Sequence, residues 1–141
     1  MRTIKFRGRS RKTGEWLVGD LLQVANEVFI APSDGDWFDF IPWTKNNVFH
    51  LPSATYEVIH DTVGQCTGLL DKNGKESDEG DIVANDFGNA YIVNMAVEWC
   101  TDGYWALHEI DGDDTMHFVA DYLKEIEAIG NIYDNPELLK Q

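Results

Sequence analysis

The chain has 141 residues, 43% of them hydrophobic and 26% charged, proportions that suit one globular domain or two small ones and exclude a large α/β barrel on length. Twenty-five acids against eleven bases give a net charge of −14, which repels nucleic acid phosphates at long range and disfavours a general nucleic-acid binder. No run of 18 apolar residues occurs, because Glu27, Asp61 and Asp86 interrupt the richest stretches, so a membrane-spanning helix is excluded.

The charge is unevenly spread. Arg2, Lys5, Arg7, Arg9, Arg11 and Lys12 all precede the first acid, Glu15. Two arrangements fit: a basic strand or hairpin lying against an acidic body, or an exposed arm whose six cations contact anions or nucleic acid. Ile4 and Phe6 stand alone among these charges, so the start lacks the continuous apolar segment of a signal peptide. With Cys66 and Cys100 34 positions apart and no CxxC, a reducing, cytoplasmic compartment is expected, each cysteine serving as a small buried hydrophobe in a strand.

In chain order, Ile4 to Arg7 alternates apolar and basic residues, Thr13-Gly14 supplies a turn, and Trp16 to Leu22 returns antiparallel as a hairpin. Val28 to Ala31 is a further strand, ended by Pro32-Ser33-Asp34-Gly35. Trp37, Phe38, Phe40 and Trp43 make a dense aromatic segment, either closing a small core or offering a partner surface. Asn73-Gly74 suits a type I′ hairpin, Gly80-Asp81 opens Ile82-Val83-Ala84, and Gly88-Asn89 turns into Tyr91 to Trp99. That strand carries Tyr91, Val93, Met95, Val97 and Trp99 on one face. Asp102-Gly103 and Asp111-Gly112-Asp113-Asp114 are the next turns, bounding Tyr104 to Ile110 and leading into Thr115 to Val119. Ala120 to Ala128 has the composition of a helical turn or two, Ile129 to Tyr133 reads as a last strand, and Asn135-Pro136-Glu137 as a helix start. Short strands with turns every eight to twelve residues predict a mainly β protein, a small barrel or a sandwich.

Several of these segments together resemble the YopX family of phage and prophage proteins. The residues concerned are Arg2-Thr3-Ile4-Lys5-Phe6-Arg7, Thr67 to Glu76, Glu79-Gly80-Asp81-Ile82-Val83 and Ile129 to Leu139. After the first of them Gly8-Arg9-Ser10 stands where the family usually continues with Trp-Asp. The resemblance implies an N-terminal β region over residues 1–60 and, over residues 61–141, a small SH3-like β-barrel with a short C-terminal helix. It also implies a phage or prophage origin, and no activity.

Catalytic and metal-binding patterns are weak. His50, His60, His108 and His117 have no HxxxH or HExxH spacing, and only His60 lies near a cysteine, Cys66. A calcium loop from Asp111 would need glycine at position 116 and glutamate at position 122, where Met116 and Tyr122 stand. Carboxylate neighbours such as Glu76 with Asp78, or Glu79 with Asp81, are expected by chance in so acidic a chain. GxSxG and GxxxxGK[ST] are absent. The expectation is a protein without catalysis, cofactor or metal.

Its expected role is an interaction module, binding a phage or host protein or a second copy of itself through the aromatic segment Trp37, Phe38, Phe40 and Trp43. An alternative is nucleic-acid binding, with Phe6 and Trp16 stacking on bases beside Arg7 and Arg9. A third reading makes the acidic body an imitation of DNA that occupies a host protein.

Overall fold

A computed structural model describes residues 3–32, 55–86, 92–117 and 124–140. The protein is mainly β and antiparallel, and it divides into two compact units, Met1–Gln65 and Cys66–Gln141.

The first unit is built on β1 (Phe6–Arg9), β2 (Trp16–Val24), β3 (Glu27–Pro32) and β4 (Tyr56–Glu57), each paired antiparallel to the next. The β1–β2 hairpin closes where Gly14 takes a φ of 74°, a conformation open to glycine at no steric cost. Gly14 N–H donates to Ser10 O at 2.9 Å and Ser10 N–H to Glu15 O at 2.8 Å. Gly19 of β2 lies so close to β3 that an added Cβ would sit 1.9 Å from Ala31 O, so only glycine fits there.

Alternation along these strands creates the core. Val28, Ile30 and Val58 are buried, with Phe6, Leu17, Leu21 and Val63 packed against them. Val58 also joins the far side of the sheet back to β1. Ser10 and Val58 form an isolated bridge, Arg11 N–H donates to Glu57 O at 3.0 Å, and Ile59 N–H donates to Arg9 O at 2.9 Å. A 3-10 turn over His60–Thr62 then places Thr62 Oγ1 to accept Arg9 N–H at 2.9 Å while donating to Ile59 O at 2.6 Å.

β5 (Gly64–Leu70) passes from one unit into the other. Gly64 and Gln65 pair with β1, and Cys66, Leu69 and Leu70 pair with β6 (Glu76–Asp78). The register shifts between Cys66 and Leu69, where Gly68 has a φ of 75°. In the second unit β7 (Asp81–Asp86), β8 (Ile92–Cys100), β9 (Tyr104–Glu109), β10 (Thr115–His117) and β11 (Glu127–Asn131) form a sheet of order β10-β9-β8-β7-β11. Its core is Val83, Val93, Met95, Val97, Leu107 and Ile126.

The hairpins expected at Thr13-Gly14, Asp102-Gly103 and Asp111 to Asp114 are all present. Four expectations need correction. The described strands form no closed barrel: the second unit's sheet has β10 and β11 as separate ends, so the SH3-like barrel is not the pairing observed. The turn at Asn73-Gly74 is not type I′, because Gly74 has a positive φ of 77° and Asn73 does not. Asp71 O instead accepts Gly74 N–H at 3.0 Å and Asp71 N–H donates to Lys75 O at 2.8 Å, a longer loop with glycine at its end. The helical turns expected over Ala120 to Ala128 give way to strand from Glu127, where pairing with β7 outweighs local propensity; residues 120–123 lie outside the described residues. Finally, the C-terminal helix is a four-residue 3-10 turn, Pro136–Leu139. Asn135 makes no side-chain cap there, because its Oδ1 accepts Asn131 N–H at 3.2 Å instead.

Trp99 also leaves its expected face. Val93, Met95 and Val97 are buried as the alternation predicts, but Trp99 is 51% exposed near the hairpin end, its ring edge-on to Trp105 with centroids 5.1 Å apart. Tyr91 lies outside the described residues.

Candidate functional site

The basic segment lies on β1 and the turn that follows, and its cations have different surroundings. With Phe6 packed on the core and Gly8 against Val58, alternation turns Arg7 and Arg9 to the opposite face. There both guanidinium groups lie over one ring, Trp16, at 5.0 and 5.1 Å from its centroid. Such stacking holds cations over the negative face of an indole. Arg7 is only 8% exposed. Arg11 Nε pairs with Glu57 Oε1 at 2.8 Å, and both side chains are substantially exposed. This is a basic strand with partners within its own unit. Arg2 lies outside the described residues.

Two clefts flank Tyr56, which is 49% exposed. The larger, about 630 Å³, is lined by Lys5, Glu15, Trp16, Leu17, Val18 and Pro32 together with Ser10, Thr13 and Tyr56. The smaller, about 340 Å³, is lined by Ser10, Arg11, Lys12, Thr55, Tyr56 and Glu57. Ser10 and Tyr56 line both, so the two clefts adjoin on a surface of mixed polarity formed by β1, its turn and β4. Lys5, Arg11 and Lys12 line them, and Trp16, which carries Arg7 and Arg9, forms part of the wall of the larger. Apolar walls with a few placed polar groups are the usual make-up of a binding site. The aromatic residues Trp37, Phe38, Phe40 and Trp43 lie outside the described residues.

A second group in the other unit was not legible as a set from sequence. Cys66, Glu76 and Asp78 each offer a donor atom, all within 4.8 Å of one another. Cys66 is buried and both carboxylates are half-buried. Glu76 and Asp78 are visible in the sequence as period-two neighbours, but only the pairing of Cys66 with Asp78 brings the thiol to them. His60, the nearest histidine to Cys66 in sequence, is exposed and contacts Asp61 instead. Cys66 and Cys100 are both thiols.

At the end of the β8–β9 hairpin, Tyr104 stacks on His117, with centroids 4.2 Å apart and planes 15° from parallel. A hydrogen bond with Cys100 raises the Tyr104 hydroxyl above its ordinary pKa, helped by burial and by the electrostatic influence of the neighbouring Cys100 and Asp102. Asp111 to Asp114 forms a turn between β9 and β10, with Asp111 at a φ of 63° and Glu109 N–H bonded to Asp114 O at 2.9 Å.

Comparison with known proteins gives the same outline. Protein EF1440 from Enterococcus faecalis, known from its crystal structure, superposes with a TM-score of 0.52 at 20% identity, covering 99% of this chain and 100% of that one. At that identity the likeness concerns the fold alone. A search of curated proteins returns no match. The family model described as "YopX protein" matches residues 5–140, from the basic strand to the C-terminal 3-10 turn, and with nearly the whole length covered the chain belongs to the YopX family.

Proposed function

We propose that this protein is a non-enzymatic interaction module of a phage or prophage, working in the host cytoplasm, whose first unit holds a segment of a partner protein in the clefts around Tyr56. The observation that carries this reading is the larger cleft itself. It combines the apolar surfaces of Trp16, Leu17, Val18 and Pro32 with polar groups of both charges, among them Lys5 and Glu15. Val18 is 42% exposed and Tyr56 49%, so burying them against a partner returns apolar area to a dry environment. A second copy of the chain is one candidate partner, and a phage or host protein the other.

Affinity capture from lysogenic cells, with light scattering to count subunits, tests the proposal. The expected result is a retained protein or a self-associated species that is lost on Tyr56→Ala combined with Val18→Asp. A strict monomer that retains nothing ends the reading.

Nucleic-acid binding is the second reading, favoured by Lys5, Arg11 and Lys12 around the rings of Trp16 and Tyr56. It requires binding that weakens steeply with salt and is lost when those three cations become alanine. Salt-insensitive or undetectable binding excludes it. The DNA-mimic reading differs in that duplex DNA would compete for the captured partner.

A further inference from the structure

We propose that Cys66, Glu76 and Asp78 form a binding site for a divalent ion of the zinc class, independent of the clefts in the first unit. The three side chains come from adjacent strands. Cys66 lies opposite Asp78 in the β5–β6 pairing, and Glu76 is two residues from Asp78, which puts both carboxylates on one side of β6. An unbroken register would set Glu76 opposite Gly68. The bulge sets it opposite Leu70 instead, while Gly68 N–H donates to Glu76 Oε1 at 3.1 Å and holds that carboxylate toward Cys66.

The donor atoms all lie within 4.8 Å of one another. Ligand distances of about 2.0 to 2.3 Å place tetrahedral donors roughly 3.3 to 3.7 Å apart, so small side-chain rotations complete the shell. The donor set selects the ion. One sulfur and two carboxylates suit zinc, whereas magnesium and calcium take oxygen ligands alone. Three protein ligands leave a fourth position for water. Cys66 is 6% exposed, which shields the sulfur, while the half-buried carboxylates leave an approach for the ion. On binding, the sulfur–metal bond forms as the S–H bond breaks and the proton passes to solvent, so no oxidant or reductant is needed. The bound ion would tie the two strands together across the bulge.

Cobalt(II) added to the intact, reduced protein provides the test. The expected result is a thiolate-to-cobalt charge-transfer band that saturates at one equivalent, is displaced by zinc, and forms more tightly as pH rises. Cys66→Ser should abolish the band and Cys100→Ser should leave it. Glu76→Gln and Asp78→Asn, at half-buried positions, should each weaken cobalt binding by about tenfold or more with circular dichroism unchanged. Should Cys66→Ser fail to fold, the two carboxylate variants decide the matter. Lack of a band in the folded protein, its survival in Cys66→Ser, or indifference to both carboxylate changes overturns the site.

Discussion

Asp71 is 5% exposed, yet its carboxylate is fully engaged. Oδ1 accepts the N–H groups of Asn73 and Lys75, both at 2.9 Å, and Oδ2 accepts Ala128 N–H at 3.1 Å. Burial alone would raise its pKa, but these three donors and the charge of Lys75 outweigh burial and hold it below the ordinary value of 3.8. A carboxyl whose folded pKa is depressed stabilises the fold fully above its unfolded value, and that contribution disappears as pH falls through the folded value. Urea unfolding of wild type should therefore show stability falling below about pH 4. Asp71→Asn should flatten part of that slope and cost about 1 to 3 kcal/mol at neutral pH, because an amide cannot accept all three bonds. Ala25, in the two-residue connection from β2 to β3, has a φ of 55°. That conformation costs an L-residue about 1 to 2 kcal/mol, against the roughly 0.5 to 1 kcal/mol of extra chain entropy that glycine loses on folding. Ala25→Gly should accordingly raise stability by about 0.5 kcal/mol in denaturant titration.

At the scale of elements, the turns were the most legible feature and the C-terminal ones the least. Thr13-Gly14 and Asp102-Gly103 announce their hairpins because glycine removes the Cβ that a positive φ would bring into collision, with Gly14 at 74° and Gly103 at 90°. Asn73-Gly74 has the same local chemistry, yet it serves a longer loop, since Asp71 draws the Asn73 and Lys75 N–H groups to itself. Glu127 and Ala128 belong to a strand for an equally nonlocal reason: they pair with Ala84 and Val83. Thr62 is a third such case. Its hydroxyl accepts Arg9 N–H across 53 residues of sequence and so joins the 3-10 turn to β1. Thr62→Val keeps the shape but removes the acceptor, and should cost about 1 to 3 kcal/mol by chemical denaturation. A change within a few tenths of that of a surface substitution would show that the bond contributes nothing.

For the whole molecule, a net charge of −14 implies self-repulsion that salt screens. Raising sodium chloride from about 10 mM to about 150 mM shortens the Debye length from roughly 30 to 8 Å and should raise the melting temperature. A Tm that falls with salt would mean that attractive pairs, such as Arg11 with Glu57 and Lys72 with Glu127, dominate the electrostatics. The candidate sites are less legible from sequence than the strands. The expected hairpin at Thr13-Gly14 brings Trp16 beside Arg7 and Arg9, but that both guanidinium groups lie over its ring was decided by the strand register. Cys66 and Asp78 are twelve residues apart and become neighbours only through register.

Period-two patterning and glycine turns, which act between near neighbours in the chain, were enough by themselves to determine a mainly β protein, most of its hairpins and the buried row Val93, Met95 and Val97. Tertiary structure alone decided that the sheet of the second unit stays open, that Trp99 leaves the core, and that a thiol meets two carboxylates. Each of those outcomes depends on which strands pair and in what register, and pairing is set by contacts between residues far apart in sequence, which no local pattern records.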